Sequence, residues 1–333
     1  MKICIVRLSA LGDIVMIIPL INTLLENFPD AEISLITSNA FSPIVEKLQG
    51  IELIKIDKIT NVLNFFKAKK MLSNYSFDIL LATQASMAAH IIYNCINAKR
   101  KIGYDKKRSK DFHRFFINER IPSCREHTVD GFLSFAKAVG AKKISLDGRI
   151  PITQIDRDFV NCNIGILTYY VIAPFTSKVD KDWPLDRYIE VCNEIYKNND
   201  ISVVLTGSKS DYYACDKLKK ELHGNVINLA GKTKLREFAA VLEMAKFLIT
   251  PDSGAAHVGS AMGTPTLGLF ATTNPKLTGP YFSSKYTINK HEEALKLYNL
   301  QNKWNVRLYN KNVMQLIQPS DILNTLTTNE LIH

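Results

Sequence analysis

Short apolar runs rich in β-branched residues alternate along this chain with stretches whose apolar positions recur every three or four residues. KICIVRL at the amino terminus reads as a buried strand, SALGD as a glycine-containing loop and IVMIIPLINTLLENF as a helix. After the Pro29-Asp30 turn, AEISLIT is a second strand, and FSPIVEKL, IELIKI, NVLNFFKAKKML and FDILLAT continue the alternation. HTVDGFLSFAKAVGA reads as a helix that ends near Gly140. A second series begins with ILTYYVIAPF and runs through WPLDRYIEVCNEIYK, ISVVLTG, SDYYACDKLKKEL, NVINLAG, KLREFAAVLEMA, KFLITPD, SGAAHVGSAMG and TPTLGLFA. Such alternation predicts parallel sheets with crossover helices. The expected class is α/β, with two doubly wound units facing a central cleft at the carboxyl ends of their strands, where open sheets bind ligands. Lys142 to Asn163, with Asp147-Gly148 and Pro151, reads as the connection, which places the domains at 1–160 and 161–333.

Length supports the division, because 333 residues exceed the size at which one core stops growing and call for domains of roughly 150 residues each. A composition that is 46% hydrophobic and 22% charged excludes long disordered stretches. No window reaches about 18 uninterrupted apolar residues, and the run from Ile14 to Leu25 is broken by Pro19 and Asn22. Met1 to Val6 reads as a strand rather than as the basic start of a secretory leader, so residence in the cytoplasm is the expectation. Cys4, Cys95, Cys124, Cys162, Cys192 and Cys215 show no paired short spacing, which fits reduced thiols better than a disulfide framework or a zinc site.

The net charge of +10 is uneven: residues 1–150 hold 22 Lys/Arg against 14 Asp/Glu. Lys99 to Arg125 alone has ten basic residues against three acidic ones. A solvated face accounts for such a run, and so does an anionic partner: nucleic acid, an acidic membrane surface, or a phosphorylated and carboxylated substrate. The run lacks a clear recognition helix or an interleaved aromatic motif, which counts against nucleic acid.

The most informative string is FLITPDSGAAHVGSAMGTPTLGLFATTNP: a strand, an Asp-Ser-Gly turn, a small-residue helix start bearing His257, then Gly-Thr-Pro into another strand. Together with VRLSALGDIVMIIPL and VDKDWPLDRY, it resembles glycosyltransferase family 9, the ADP-heptose:lipopolysaccharide heptosyltransferases. LTGSKSD, NLAGKTKLREFAAVLEMAKF and the closing LIQPSDILNTL carry the similarity over nearly the whole length. The resemblance implies two Rossmann-like domains of the GT-B type. An acceptor-binding first half precedes a donor-binding second half, whose last helix is a candidate to pack back on the first domain. It further implies metal-independent, inverting transfer of heptose from ADP-heptose to Kdo-lipid A, with no cofactor and no nucleic-acid partner, by peripheral contact with the cytoplasmic face of the inner membrane. NKWNVRLYNKNVMQLIQPSD lacks the cysteine cluster frequent in the second heptosyltransferase, which favours the first, Kdo-directed one. Ala85 and Ala271 stand where glycine is frequent in the family.

Inverting transfer needs a base for the acceptor hydroxyl and a holder for the departing nucleoside diphosphate. Asp13, in the loop after the first strand, is the candidate base, as its match is in the family; its other reading is a helix cap. Ser9 and Gly12 keep that loop small enough for a substrate to approach, and the missing GxGxxG argues against a dinucleotide dehydrogenase. For the leaving group, a helix start at Asp252, Ser253, Gly254 and His257 offers unpaired N–H groups and a favourable dipole. Lys181 adds a mobile positive charge, as the aligned family lysine does, and Thr176 and Ser177 add hydroxyl and backbone donors. Asp211 is a candidate for a sugar hydroxyl, or a second cap. Asp252 also reads as a cap and His257 as a buried core histidine. Lys67, Lys69, Lys70, Arg108, Arg114 and Arg120 are the acceptor-side cations, Lys67, Arg114 and Arg120 foremost. Arg120 aligns with a family arginine, whereas Lys67 is assigned by charge alone. Rival readings are another nucleotide sugar, a later core acceptor, or a nucleic-acid binding protein.

Overall fold

Lys2–Val6 forms β1, and all but its first side chain are buried, as expected of a strand covered on both faces. In the computed structural model, which describes residues 1–57, 59, 61–109, 112–123, 126–301 and 306–333, the chain divides into Met1–Pro151 and Ile152–His333. Lys110, Cys124 and Arg125 lie outside the described residues.

In the first unit β1 leads into α1 (Leu11–Met16) and α2 (Ile18–Asn27). The single helix expected across IVMIIPLINTLLENF is thus two, because Pro19 has no N–H for a helical bond and occupies the first turn of α2. Then come β2 (Glu32–Ser38), β3 (Ile51–Ile56), α3 (Val62–Leu72), β4 (Ser76–Leu81), α4 (Met87–Cys95), β5 (Asn97–Gly103), β6 (Glu119–Arg120) and α5 (Thr128–Val139). Gly140 ends α5 at φ +105°, the left-handed conformation that glycine adopts without cost. The strands pair in parallel in the order β3-β2-β1-β4-β5-β6.

The second unit comprises α6 (Gln154–Asn163), β7 (Tyr169–Ile172), α7 (Leu185–Asn198), β8 (Ser202–Leu205), α8 (Tyr212–Glu221), β9 (Val226–Asn228), α9 (Leu235–Glu243), β10 (Leu248–Pro251), α10 (Gly254–Ala261), β11 (Thr266–Phe270), α11 (Pro275–Thr278), β12 (Ile288–Asn289), α12 (His291–Leu297) and α13 (Pro319–Thr328). Its parallel sheet runs β12-β11-β10-β7-β8-β9. Counted within each unit, both orders are 3-2-1-4-5-6, the doubly wound Rossmann arrangement, with the switch point between β1 and β4 in one and between β7 and β10 in the other.

The division between the units lies earlier in the chain than the sequence suggests. The boundary expected near 160 falls inside α6, within what the sequence suggested was a linker. α6 belongs to the second unit, tied to α9 by Arg157 on Glu243 (2.9 and 3.1 Å) and Arg236 on Asp156 (3.2 Å). The closing helix α13 lays a buried face on α7, and its Ile322 and Leu326 belong to the second unit's core. That core also holds Trp183, set edge-on against Tyr188, whose indole N–H donates to the Ile317 carbonyl at 3.0 Å. The anchor fixes the backbone two residues beyond Lys181.

Candidate functional site

At the first switch point the β1–α1 loop is stitched to the loop after β4. The Leu8 N–H donates to Gln84 Oε1 (2.8 Å), and Gln84 Nε2 donates to the hydroxyls of Ser9 (3.3 Å) and Ser86 (3.0 Å). The buried Tyr93 hydroxyl donates to the Gln84 carbonyl at 2.7 Å, and Thr83 Oγ1 donates to the Val6 carbonyl at 2.8 Å. Gly12 is buried in the first turn of α1. Asp13, the third residue of α1, accepts the Ala10 N–H on Oδ2 at 3.2 Å, so its capping role is real.

The same Oδ2 is ion-paired with Arg7 Nη2. Arg7 lies over the Phe132 ring at 5.3 Å and donates through Nη1 to the Thr83 carbonyl at 2.5 Å. Burial disfavours its charge, but the Asp13 carboxylate more than restores it, leaving the guanidinium pKa above its usual value. The arginine side chain is 12% exposed and the aspartate 29%, so the pair shows its anion to solvent. Among the described residues none donates to Asp13 Oδ1.

Part of the basic run is already engaged within the unit. Arg100 grips Glu119 with two bonds (2.7 and 2.8 Å), Lys99 pairs with Asp78 (3.1 Å), and Lys101 donates to the carbonyls of Tyr93 and Ile96. Arg108 holds Asp105 and Glu126. The local excess is therefore smaller at the surface than in the sequence. Arg114 and Arg120 are exposed, at the turn before β6 and at its end; Lys67 is exposed on α3, away from the β1 and β4 loops in sequence.

At the second switch point the loop after β7 carries Thr176, Ser177 and Lys181. The Thr176 N–H donates to Asp182 (2.8 Å) and its hydroxyl to the Lys178 carbonyl (2.6 Å), while Ser177 is exposed. Burial raises the Asp182 carboxyl pKa, with Asp211 and Asp180 adding to the shift against the Thr176 bonds. Lys181 Nζ is ion-paired with Asp252, whose Oδ2 also accepts the Thr273 hydroxyl at 2.6 Å. Asp252 is thus not the helix cap that its position allowed. Ser253 holds that place, and its hydroxyl pairs with Thr250 Oγ1 (3.0 Å) rather than with a helix N–H. α10 starts at Gly254 with no side-chain cap on its first turn, and His257 is buried one turn in. An uncapped helix start beside a lysine is an anion-binding arrangement. Asp211 instead accepts both the N–H (2.7 Å) and the hydroxyl (2.5 Å) of Ser208, which makes it a cap.

The sequence pattern of glycosyltransferase family 9 (heptosyltransferase) matches residues 65–305. The chain belongs to this family. A lipopolysaccharide core heptosyltransferase of Haemophilus influenzae, OpsX, is 32% identical over 333 residues, covering 98% of this chain and 96% of the relative. Among solved structures, a family 9 glycosyltransferase from Veillonella parvula superposes with a TM-score of 0.82 at 20% identity, covering 98% of this chain and 96% of its own. The Escherichia coli heptosyltransferase WaaC with ADP does so with a TM-score of 0.77 at 18% identity, covering 99% and 100%. Both share the fold.

As a family 9 glycosyltransferase the chain has site neighbours that sequence reasoning did not single out: Arg7, Gln84, Thr273 and Arg307. Arg7 directly follows the apolar stretch Ile3–Val6 of β1, a charge where the apolar pattern breaks. Thr273 lay in the quoted FATTNP without a role. Arg307, beyond the family match, reaches Asp180 at 2.9 Å and carries the segment after residue 305 to the Lys181 loop. Ala271, where glycine is frequent in the family, is fully buried, and its carbonyl meets His291 Nδ1 at 3.1 Å.

Proposed function

We propose that the protein transfers L-glycero-D-manno-heptose from ADP-heptose to Kdo-lipid A, with inversion and without a metal ion, in building the inner core of lipopolysaccharide at the cytoplasmic face of the inner membrane. The observation that carries this reading is the full-length 32% identity to a lipopolysaccharide core heptosyltransferase.

In this reading Asp13 takes the proton of the acceptor hydroxyl on Oδ1, while Oδ2 stays with Ala10 and Arg7. Arg7 holds the carboxylate in one orientation through the reaction. Ser9 and Gly12 line the acceptor's approach. The exposed cations Lys67, Arg114 and Arg120 meet the carboxylates and phosphates of the acceptor, which arginine grips with two parallel bonds. On the donor side Lys181 exchanges Asp252 for the diphosphate, and the first-turn N–H groups of α10, with Ser253 and Gly254, take the negative charge that develops as ADP leaves. Thr176, Ser177 and His257 shape the same pocket. Asp252 stores the lysine between turnovers, and Asp211 orders its loop from behind.

A panel assay tests the assignment. Purified protein is given ADP-heptose or UDP-sugars against Kdo-lipid A or a heptosylated acceptor, with EDTA present, and products are weighed by mass spectrometry. One heptose added to Kdo-lipid A from ADP-heptose is expected. Transfer only from a UDP-sugar, or only to the heptosylated acceptor, would overturn donor or acceptor respectively.

A further inference from the structure

Residues 306–317 run beside two loops of the second unit, the one after β7 that carries Lys181 and the one after β11 that carries Thr273. The Leu308 N–H donates to the Thr272 carbonyl at 2.9 Å, and the Ile317 carbonyl accepts the Trp183 indole N–H at 3.0 Å. Arg187 on α7 donates to the Gln315 carbonyl at 2.6 Å and also to that of Ile317. Next to the first of these anchors, Arg307 Nη2 donates to Asp180 Oδ2 at 2.9 Å, and its guanidinium lies over the Tyr309 ring at 4.7 Å.

These contacts close a circuit. Thr272 adjoins Thr273, whose hydroxyl donates to Asp252; Asp252 holds Lys181, Lys181 follows Asp180, and Asp180 is held by Arg307. The circuit is rich in negative charge. Asp180 and Asp182 flank Lys181 in the chain, and Asp252 is paired with it. Burial raises the Asp182 carboxyl pKa, and the charges of Asp211 and Asp180 add to it, so these carboxylates feel one another. A diphosphate entering here would be repelled by Asp180 and would compete with it for Lys181. Low exposure limits screening by salt, since the Arg307 and Asp180 side chains are 17% and 22% exposed.

We infer that Arg307 is a positioning residue for the donor: by neutralising Asp180 it leaves Lys181 free to pass from Asp252 to a nucleoside diphosphate. The inference rests on the reading of Lys181 as the cation that meets the diphosphate. It gives the segment beyond residue 305, where the family pattern ends, a part in donor binding. Arg307 acts here through its charge on Asp180, so removing both partners together should do less harm than removing the arginine alone.

Calorimetric titration of the full chain with ADP tests it. Arg307→Gln is expected to bind ADP about fivefold more weakly, the upper end for a partly exposed ion pair. Removing the carboxylate as well, in Asp180→Asn/Arg307→Gln, is expected to bring the affinity back to within about twofold of wild type. Arg307→Lys, which keeps the charge, is expected to lose less than Arg307→Gln. In a Lys181→Ala background Arg307→Gln should cost nothing further, because the arginine acts through the lysine. Thermal melting shows which variants fold, and Arg307→Lys against the double variant carries the test where Arg307→Gln does not. Unchanged affinity in Arg307→Gln, with Lys181→Ala impaired, would overturn the inference and leave the reading of Lys181 standing. No recovery in the double variant would overturn it by making the pair a structural fastening. A further fivefold loss in the Lys181→Ala background would overturn it by making Arg307 a ligand of the nucleotide, about as strong as the pair itself. Wild-type affinity in Lys181→Ala would overturn the reading of that lysine, and the inference with it.

Discussion

The two units share a strand order and each sets an ion pair at its switch point, but with the charges reversed. In the first, a largely buried arginine just past β1 backs the more exposed Asp13. In the second, Asp252 from the end of β10, 10% exposed, backs Lys181, 15% exposed, from the loop after β7. The surroundings differ as well. Gln84, Tyr93 and Thr83 clamp the first loop from several sides, whereas the second leaves a helix start without a side-chain cap. One scaffold thus offers an oriented carboxylate in one copy and a cation beside free N–H groups in the other. The first suits proton removal and the second suits a diphosphate, and the fold alone distinguishes neither.

The comparison breaks most visibly at Asp13. Asp13→Asn keeps an acceptor for the Ala10 N–H but no base, and transfer should fall by about 10²–10⁴-fold in kcat with donor affinity held; steady-state kinetics and ADP titration measure both. A variant within a few-fold of wild type would leave Asp13 as a cap only. Lys181→Ala should act in the opposite unit: roughly ten- to a hundredfold weaker ADP binding, as for one lost charged hydrogen bond, read by calorimetry. An unchanged affinity would mean that α10 alone holds the anion.

Protons should act on the first unit through His113. Burial, the His90 ring and the Arg120 charge push His113 down to about 4. Unfolding releases that penalty, so the folded state binds fewer protons than the unfolded one between the two values. Stability is then complete above the unfolded value of about 6.5 and is lost as pH falls toward 4, by roughly 3 kcal/mol at the lower limit. Urea midpoints measured from pH 7 to 4.5 should decline for wild type and flatten for His113→Gln. Equal slopes would remove His113 from the account. The smallest change is expected from Thr273→Val, which deletes one hydrogen bond to Asp252 and should cost about 1 kcal/mol in ADP affinity or less. A loss as large as that of Lys181→Ala would make Thr273 a direct ligand.

Much of the fold was legible because buried parallel strands leave unbroken apolar runs, as in KICIV and SVVL, and because Gly140 and Pro19 punctuate the helices. α6 escaped because QIDRDFVNCN buries only Asp156 and Val160; its readable sign was the Thr153–Asp156 capping box. For the candidate site, the sequence singled out Asp13, Lys181 and the 252–257 turn but not the side chains that they meet. Arg7 meets Asp13 six residues away through a loop, and Lys181 meets Asp252 across 71 positions, distances that periodicity does not encode. Charge counting misled in the basic run, where Glu119 and Asp105 neutralise what looked like free cations.

The central claim is that the reversed ion pairs divide the labour, and a single-turnover assay beside ADP calorimetry on Asp13→Asn and Lys181→Ala tests it most directly. The account predicts that Asp13→Asn binds ADP as wild type does yet fails to transfer, and that Lys181→Ala loses ADP affinity while recovering transfer in part at saturating donor. Equal loss of ADP affinity in both variants, or full transfer by Asp13→Asn, would contradict it.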